Sequence, residues 1–339
     1  MNKYFFAVIT TVFSTFLLLH AAPSGKDKVM AEEIFYPCKI DNSLQPAIFV
    51  KASGNEPRPL VVGLHTWSCD YRKAFEKYVE YAKKHNWNFI FPNFRGPNWT
   101  KEACGSDYVV SDIEDAVTFA KNNAPVDDTR IYLVGGSGGG HGALLMAGKR
   151  PDLWAAVSAW CPPADLIRWH QETRERKLKY YKHINKVCGG DPNTSAAAKN
   201  EAVRRSSNTY LPNVQNQCII DINHGVRDWS VPVSQGIRAF NILAAPQDRI
   251  PEEDIEFITR NRLVPEHLKT NDKEPSFGKH TVYLRRISGN TRLTLFDGKH
   301  VQFRFSSLEW LGKQQRGKKP DWSAGSAEAS PDNNSELTK

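Results

Sequence analysis

The chain lacks the sequence signals of metal, nucleotide and nucleic-acid sites. It has six cysteines and ten histidines but no Cys-x-x-Cys pair and no histidines at the spacing of a zinc site, so no metal is expected. Its most glycine-rich turn, residues 135–140, has neither the lysine of a phosphate-binding loop nor the glycine spacing of a dinucleotide-binding loop. No nucleic-acid-binding motif occurs. The sequence therefore predicts no metal, no cofactor and no nucleic-acid partner.

Long apolar runs are also scarce, and the one that stands out lies at the start of the chain. Lys3 is followed by an apolar core from Phe5 to Leu19 and by the small residues Ala21 and Ala22. This order is typical of a secretory signal peptide, and the core is short for a transmembrane helix. We therefore expect cleavage after residues 1–22, a secreted or periplasmic protein, and no membrane association of the mature chain.

Acidic residues are too few to balance the basic ones. The formal net charge is +8 at pH 7, and removal of Lys3 with the signal peptide lowers it by one, to +7. A net positive charge favours anionic partners. Because lysine and arginine are scattered along the chain rather than clustered, we expect an acidic polysaccharide rather than a nucleic acid.

All six cysteines lie after the signal peptide. An even number of cysteines in an exported chain is compatible with disulfide bonds. We predict a Cys69–Cys104 bond, because both residues follow loops at the same rim of the expected sheet. We also predict Cys161–Cys188, which would pin a folded-back segment to a strand end. The alternative is that these thiols are buried and free.

Apolar strands alternate with amphipathic helices through most of the chain. Residues 32–50 have the pattern of one or two edge strands, and residues 281–295 that of a hairpin. This alternation predicts an α/β fold with a mainly parallel central sheet flanked by helices on both faces. The other strand patterns cover residues 59–64, 88–92, 131–134, 155–160, 218–222 and 292–296, and helical spacing covers 71–85 and 112–122.

The predicted catalytic domain covers residues 23–315, an ordinary length for one α/β domain. Within it, residues 162–213 are polar, aromatic and basic and lie between two predicted strands. Caps over active sites often lie at such a position, so this insertion is a candidate cap. Residues 316–339 are rich in Lys, Ser, Asp and Asn, a composition typical of a disordered tail.

The sequence Gly135-Gly136-Ser137-Gly138-Gly139 separates a strand pattern from a run of helix formers. Strand, Gly-x-Ser-x-Gly, helix is the arrangement of a nucleophile elbow, a sharp turn that exposes a serine hydroxyl at the edge of a sheet. Side chains at residues 135 and 139 would collide with the adjoining strand and helix, which explains the glycines. We therefore predict that Ser137 is a nucleophile and that the Gly138 N–H faces the oxyanion.

Two later strand ends carry the acid and the base that a serine nucleophile needs. Asp228 follows the fifth of the core strand patterns, and His300 follows the last. Polar residues at the carboxyl ends of parallel strands meet at one edge of the sheet. His300 would accept the serine proton, and Asp228 would orient the imidazole ring. Asp165 is the alternative acid, and His224 is the alternative base.

In these motifs the chain resembles the α/β-hydrolases, most closely the prolyl-oligopeptidase-like (peptidase family S9-like) branch and its secreted polysaccharide-esterase relatives. The resemblance covers roughly residues 59–311, and its motifs are Gly-Gly-Ser137-Gly-Gly-Gly, His224-Gly-x-x-Asp228-x-x-Val-Pro and Asp-Gly-x-His300. It implies that Asp228 is the acid of the triad and that His224 shapes the acid's loop. It also implies that the Trp67 N–H joins Gly138 as an oxyanion donor. The peptidases carry a large propeller before this domain, whereas here only a short stretch precedes the first core strand.

The motifs do not distinguish esters from amides. Arg95 and His65 are the candidate substrate-binding residues, with acid pairing by Arg95 and a structural hydrogen bond from His65 as the alternatives. Export, positive charge and aromatic side chains suit a saccharide ester, since aromatic faces stack on sugar rings. The tryptophans near strand ends are Trp67, Trp99, Trp160, Trp169 and Trp229. We expect a carbohydrate esterase that removes methyl, acetyl or feruloyl groups from plant or algal polysaccharide, pectin-like chains included. A secreted serine peptidase is the alternative.

Overall fold

The computed structural model describes residues 30–270 and 272–330, and the predicted signal peptide lies outside them. Nine strands form one sheet in this part of the chain. They are β1 (Ala31–Pro37), β2 (Leu44–Val50), β3 (Arg58–Leu64), β4 (Asn88–Pro92), β5 (Val126–Gly136), β6 (Ala156–Trp160), β7 (Ile219–Gly225), β8 (Val282–Ser288) and β9 (Thr291–Phe296). Their order across the sheet is β1-β2-β4-β3-β5-β6-β7-β9-β8.

The centre of the sheet is parallel. β4, β3, β5, β6, β7 and β9 pair in parallel. The antiparallel pairs β1–β2, β2–β4 and β8–β9 lie toward the two edges. The predicted α/β fold with a mainly parallel sheet is confirmed, as are the edge strands near the N-terminus and the hairpin that contributes the last core strand.

Helices cover both faces of the sheet. Leu60 and Val62 of β3 enter one hydrophobic core, whereas Val61 enters the other. The first core also receives α2, α3, α7 and α8, and the second receives α1 and α9. The helices of the described residues are α1 (Glu76–His85), α2 (Asp107–Asn123), α3 (Gly138–Lys149), α4 (Leu166–Glu175), α5 (Tyr180–Cys188), α6 (Ala196–Arg205), α7 (Val233–Leu243), α8 (Glu252–Asn261) and α9 (Arg304–Gly312).

The candidate cap, residues 162–213, forms α4, α5 and α6 followed by two short 3-10 turns. Leu166, Trp169 and Ile184 of this segment share a buried cluster with Trp67, which follows β3. The segment therefore packs over the carboxyl end of β3, beside the loop of the predicted oxyanion donor. Among the described residues, no helix has the length and apolarity needed to cross a bilayer.

Part of the polar C-terminal segment, which its composition predicts to be disordered, packs against the domain. The Trp322 ring stacks on Trp310 of α9, with centroids 5.6 Å apart, and the Arg292 guanidinium lies over both rings. The prediction of disorder does not hold for residues 316–330. Composition alone could not show that Trp322 in this polar segment packs on Trp310. Residues 331–339 lie outside the described part of the chain.

All six cysteines are free in the structure. Cys104 and Cys188 lie in the same buried cluster, whereas Sγ of Cys161 lies 3.6 Å from the Val301 carbonyl oxygen. The predicted bonds Cys69–Cys104 and Cys161–Cys188 are therefore wrong. A shared sheet rim brings loops near one another, but it does not determine which thiols face each other.

Candidate active site

Ser137 occupies a strained turn between β5 and α3. Its backbone has φ 57° and ψ −119°, a combination that non-glycine residues adopt only where the surrounding structure enforces it. The Ser137 N–H donates to the Trp160 carbonyl, 2.8 Å away, which anchors the turn to the end of β6. A sharp strand-to-helix turn with the serine at its apex is the geometry of a nucleophile elbow.

Close backbone contacts require the glycines around Ser137. A Cβ at Gly135 would lie 2.4 Å from the Gly139 carbonyl oxygen, and a Cβ at Gly139 would lie 2.4 Å from the Leu64 carbonyl oxygen. Both separations are far shorter than van der Waals contact. The expectation that larger residues here would collide with the adjoining strand and helix is confirmed.

The two predicted oxyanion donors lie side by side. Gly138 is the first residue of α3, so its N–H has no acceptor within the helix. A Cβ at Gly138 would lie 2.5 Å from the backbone nitrogen of Trp67. Two such N–H groups beside a serine hydroxyl can stabilise the charge that develops on a carbonyl oxygen. Their action as an oxyanion hole stays a prediction.

Asp228 and His300 form a buried hydrogen-bonded pair beyond the carboxyl ends of β7 and β9. Nδ1 of His300 donates to Oδ2 of Asp228 at 2.5 Å, and Oδ1 accepts from the N–H groups of Ser230 and Val231, each at 2.9 Å. Burial opposes ionisation of Asp228, but the neighbouring His300 and His224 hold its pKa well below the usual range. Asp228 is therefore a carboxylate that fixes the ring of His300.

The other ring nitrogen of His300 has no structural task. Nε2 is buried and has no hydrogen-bond partner among the described residues. The adjoining Val301 carbonyl lies 3.6 Å from Sγ of Cys161, and Cys161 directly follows Trp160, whose carbonyl anchors Ser137. The His300 loop and the serine elbow are thus joined through the end of β6. A buried imidazole nitrogen without a partner, in a loop joined to the serine elbow, is available to act as a general base.

Neither alternative acid–base residue fits that role. Asp165 caps α4, where its carboxylate accepts two backbone N–H groups of the first turn at 3.0 and 3.1 Å. Nε2 of His224 lies 3.0 Å from the Val231 carbonyl and 3.3 Å from Oδ2 of Asp228. Its Nδ1 is buried without a hydrogen-bond partner among the described residues, but it faces Gly236 of α7, where a Cβ would lie 2.7 Å away. Asp165 therefore stabilises a helix, and His224 supports the carboxylate of Asp228.

Arg95 is occupied by acidic side chains of its own domain. Its Nε donates to Asp112 at 2.8 Å, and Nη1 donates to Asp41 at 2.7 Å. Its guanidinium also lies 4.7 Å from the centre of the Tyr108 ring. The structure shows the acid pairing that was the alternative for Arg95, and its role in substrate binding stays a prediction. Asp112 is fully buried, so it needs this partner to offset its loss of hydration.

His65 is also a structural residue. Its Nδ1 and Nε2 lie 3.0 and 2.8 Å from the carbonyl oxygens of Thr66 and Asn93, and its ring stacks on Phe94 with centroids 3.9 Å apart. Burial lowers the pKa of His65. Because both ring nitrogens face backbone carbonyls, no polar atom of His65 is left for a ligand. The structure shows the structural hydrogen bond that was the alternative for His65, and substrate binding by this residue stays a prediction.

Of the five tryptophans near strand ends, one is well exposed. Trp229, directly after Asp228, has 51% of its surface exposed. Trp99 is half-buried, and the other three pack in the interior: Trp67, Trp160 and Trp169. The ring of Trp67 contacts that of Trp169 edge to face, with centroids 4.7 Å apart. The Trp67 and Trp169 rings therefore form the wall beside the predicted oxyanion donor, and Trp229 is the most exposed of the five.

Sequence reasoning missed two charged residues of the cap. Oε2 of Glu172 in α4 accepts from Gln235 at 2.8 Å, and burial raises the pKa of Glu172 to about 7. Arg176, the residue that ends α4, donates to the Trp229 carbonyl at 2.8 Å. The sequence indicated only that both residues lie within the candidate cap. Helical spacing does not show which charged residues of a polar helix face the site.

One group of described residues brings three potential metal ligands together. Side-chain atoms of Cys161, His224 and Asp228 lie within 4.8 Å of one another, and all three residues are buried. Burial raises the pKa of the Cys161 thiol, and both carboxylate oxygens of Asp228 already accept hydrogen bonds. A cation here would therefore compete with the hydrogen bond to His300.

Family comparison gives this geometry a context. Residues 75–258, more than half of the chain, match the model of the prolyl oligopeptidase family, Peptidase S9. A segment of 128 residues is 27% identical to acylamino-acid-releasing enzyme 1 of Oryza sativa and covers 35% of this chain and 16% of that enzyme. A segment of 82 residues is 34% identical to S-formylglutathione hydrolase of Rattus norvegicus and covers 23% of this chain and 28% of that enzyme.

Solved structures share the fold at low sequence identity. Acylaminoacyl peptidase of Pyrococcus horikoshii superposes with a TM-score of 0.61 at 13% identity, over 87% of this chain and 43% of the peptidase. Oligopeptidase B from Leishmania major gives a TM-score of 0.51 at 14% identity, over 63% of this chain and 30% of that enzyme. The matches span less than half the length of each relative. The chain belongs to the prolyl oligopeptidase family of the α/β-hydrolases.

Proposed function

We propose that this protein is an exported serine hydrolase that cleaves methyl, acetyl or feruloyl esters on plant or algal polysaccharide, with Ser137, His300 and Asp228 as its triad. The observation that carries the triad is the unpaired, buried Nε2 of His300, whose ring is fixed by Asp228 at the edge of the sheet that also presents Ser137. This arrangement supplies a nucleophile, a base and an orienting carboxylate in the order that the fold requires.

The reaction would proceed through an acyl-enzyme. Oγ of Ser137 attacks the ester carbonyl while its proton passes to Nε2 of His300, and Asp228 stabilises the imidazolium that forms. The N–H groups of Gly138 and Trp67 hold the oxyanion. As the tetrahedral intermediate collapses, His300 returns the proton to the departing alkoxide. A water molecule, deprotonated by the same nitrogen, then attacks the acyl group and releases the carboxylic acid.

Charge and an exposed aromatic ring support a saccharide substrate. The chain carries a net charge of +8, or +7 without residues 1–22, which favours acidic polymers. Trp229, next to the triad acid, offers an exposed ring of the kind that stacks on sugars. An ester as the scissile bond is supported by the similarity of one segment to S-formylglutathione hydrolase of Rattus norvegicus.

A peptidase is the second candidate, because the family model and the acylaminoacyl peptidase neighbours point to amide hydrolysis. The test is a comparison of initial rates on three substrates: p-nitrophenyl acetate, methyl-esterified pectin and an N-acetylated peptide amide. We expect hydrolysis of both esters and slow or no hydrolysis of the amide. Faster turnover of the peptide than of any polysaccharide ester would overturn the esterase assignment.

The nucleophile is tested with a matched pair of serine variants. Ser137→Ala should reduce turnover by roughly 10⁴-fold, leaving only binding and oxyanion effects. Ser53→Ala, at an exposed serine that precedes β3, should leave turnover unchanged. Activity of Ser137→Ala within tenfold of the wild type would show that another residue attacks the substrate.

A further inference from the structure

Two arginines and an exposed tryptophan form a cluster beside the acid of the triad. Nη1 of Arg176 donates to the Trp229 carbonyl at 2.8 Å, and its guanidinium lies 5.1 Å from the centre of the Trp229 ring. The Arg262 guanidinium, at the end of α8, lies 5.3 Å from the same ring centre. Trp229 is nevertheless 51% exposed. Two cations are thus gathered on an aromatic ring that remains open to solvent.

No carboxylate of the described residues pairs directly with the arginines of this cluster, although Glu172 and Asp228 attract Arg176 from further away. Among the described residues, neither Arg176 nor Arg262 forms an ion pair, whereas Arg174 pairs with Asp191 and Arg238 with Glu252. The nearby carboxyl of Glu172 accepts from Gln235 instead. Arg176 is partly buried and Arg262 is exposed. Guanidinium groups without a paired carboxylate are well suited to bind one from a ligand, because a guanidinium offers two parallel N–H donors to it.

The cluster is linked to the reacting centre through Asp228 and Ser230, the chain neighbours of Trp229. Trp229 follows Asp228, which holds His300. The indole N–H of Trp169 donates to the carbonyl of Ser230, the next residue along, at 3.0 Å. The Trp169 ring packs on Trp67, whose backbone nitrogen lies against Gly138. A polymer bound with its ester at Ser137 therefore has this cluster as a neighbouring surface.

We propose that Arg176, Arg262 and Trp229 form a subsite for a uronate, a sugar ring with a free carboxylate, carried by the substrate near the esterified sugar. The sugar ring stacks on the exposed indole, and its carboxylate accepts hydrogen bonds from the guanidinium groups. The subsite rests on the proposed function for its polymer, but its chemistry can be measured without turnover. It would make the enzyme select partly de-esterified acidic chains over neutral ones.

Binding is measured in the Ser137→Ala background, so that the result does not depend on hydrolysis. Oligogalacturonate and neutral xylo-oligosaccharide of equal length are titrated by calorimetry and by tryptophan fluorescence. We expect at least tenfold tighter binding of the uronate oligomer, weakened by added salt because the contact is ionic. Arg262→Gln should lower uronate affinity by about tenfold, the loss expected for one charge-assisted hydrogen bond, and leave the affinity for the neutral oligomer unchanged.

Arg260→Gln is the matched control. Arg260 lies on the same last turn of α8, is exposed, and makes no ion pair within the described residues. It should retain wild-type affinity for both oligomers. Equal binding of the two oligomers, equal losses from Arg262→Gln and Arg260→Gln, or tighter binding of a peptide with a free C-terminal carboxylate would each overturn the subsite. If uronate binds selectively but no polysaccharide ester is cleaved, the esterase proposal fails and the subsite stands.

Discussion

Nδ1 of His300 lies 2.5 Å from Oδ2 of Asp228, although the two residues are 72 positions apart in the sequence. They meet because β7 and β9 are parallel neighbours, so the loops that follow them leave the same edge of the sheet. The long connection between these strands contains α7, α8 and β8. The pair does not depend on the length of this connection, since the pairing of β7 with β9 fixes where both loops begin.

Replacement of Asp228 tests what this hydrogen bond does. Asp228→Asn should lower kcat by roughly 10⁴-fold, because an amide in place of the carboxylate favours the wrong tautomer of His300 and cannot stabilise the imidazolium. Asp165→Asn is the control. Asparagine caps a helix about as well as aspartate does, so both kcat and the thermal midpoint should stay near the wild-type values. Loss of activity in Asp165→Asn with retention of activity in Asp228→Asn would show that Asp165, and not Asp228, is the acid of the triad.

The close contacts of the serine elbow predict a contrast between two glycines of α3. Gly139→Ala should destabilise the fold by about 3 kcal/mol or more, because the new Cβ meets the backbone of β3. Gly142→Ala places its Cβ 3.0 Å from the mobile end of the Leu64 side chain and gains the helix propensity of alanine. It should be neutral or slightly stabilising. Urea unfolding of both variants decides, and equal stabilities would contradict the packing described for the elbow.

The ion pairs of Arg95 predict that its replacement changes the stability of the fold but not the binding of substrate. Arg95→Gln should lower the free energy of unfolding by about 3 kcal/mol, because it leaves the buried Asp112 without its ion-pair partner, and should leave KM unchanged. Arg72→Gln removes an exposed pair with Asp70 and should cost less than about 1 kcal/mol. An increase in KM at unchanged stability would instead support the substrate-binding role that the sequence predicts for Arg95.

Glu172 should make stability fall as the pH rises. Its pKa is about 7 in the fold against an ordinary value of 4.5, so between these values the native state binds more protons than the unfolded chain and loses stability as the pH rises. Burial is the main cause, opposed by a hydrogen bond from Gln235 and by nearby arginines at positions 168, 176 and 238.

The measurement is the free energy of unfolding at pH 5 and pH 8 for the wild type, Glu172→Gln and Glu175→Gln. From pH 5 to pH 8 the free energy of unfolding of Glu172→Gln should rise relative to that of the wild type, because the variant lacks the buried group that must ionise. Glu175, exposed on the same helix, should behave like the wild type when replaced. Identical pH dependence in all three proteins would show that Glu172 is not held protonated by the fold.

The sequence predicted the serine elbow because its residues are neighbours in the chain. The strand, the glycines and Ser137 are adjacent in sequence, so their geometry could be inferred from residue size alone. The order of the parallel strands then placed Asp228 and His300 at one edge. Arg95 could not be assigned in the same way, because Asp41 and Asp112 reach it from other elements.

Long-range packing determined what the sequence left undecided. Trp67 and Trp229 both follow strand ends, yet one is enclosed by the helices of the cap and the other is open to solvent. No periodicity in the cap shows that Arg176 turns toward Trp229. The Cys161–Cys188 prediction failed for a related reason, since the side chain of Cys161 faces the His300 loop and that of Cys188 faces the interior of the cap.

The central claim is that Ser137 is the nucleophile and is activated by His300. The most direct measurement is peptide mass mapping after reaction with a fluorophosphonate, which labels a serine in proportion to its activation. We predict one adduct, on Ser137, with a labelling rate reduced by at least about 10³-fold in His300→Ala. An adduct on any other residue, or an unchanged rate in His300→Ala, would contradict it.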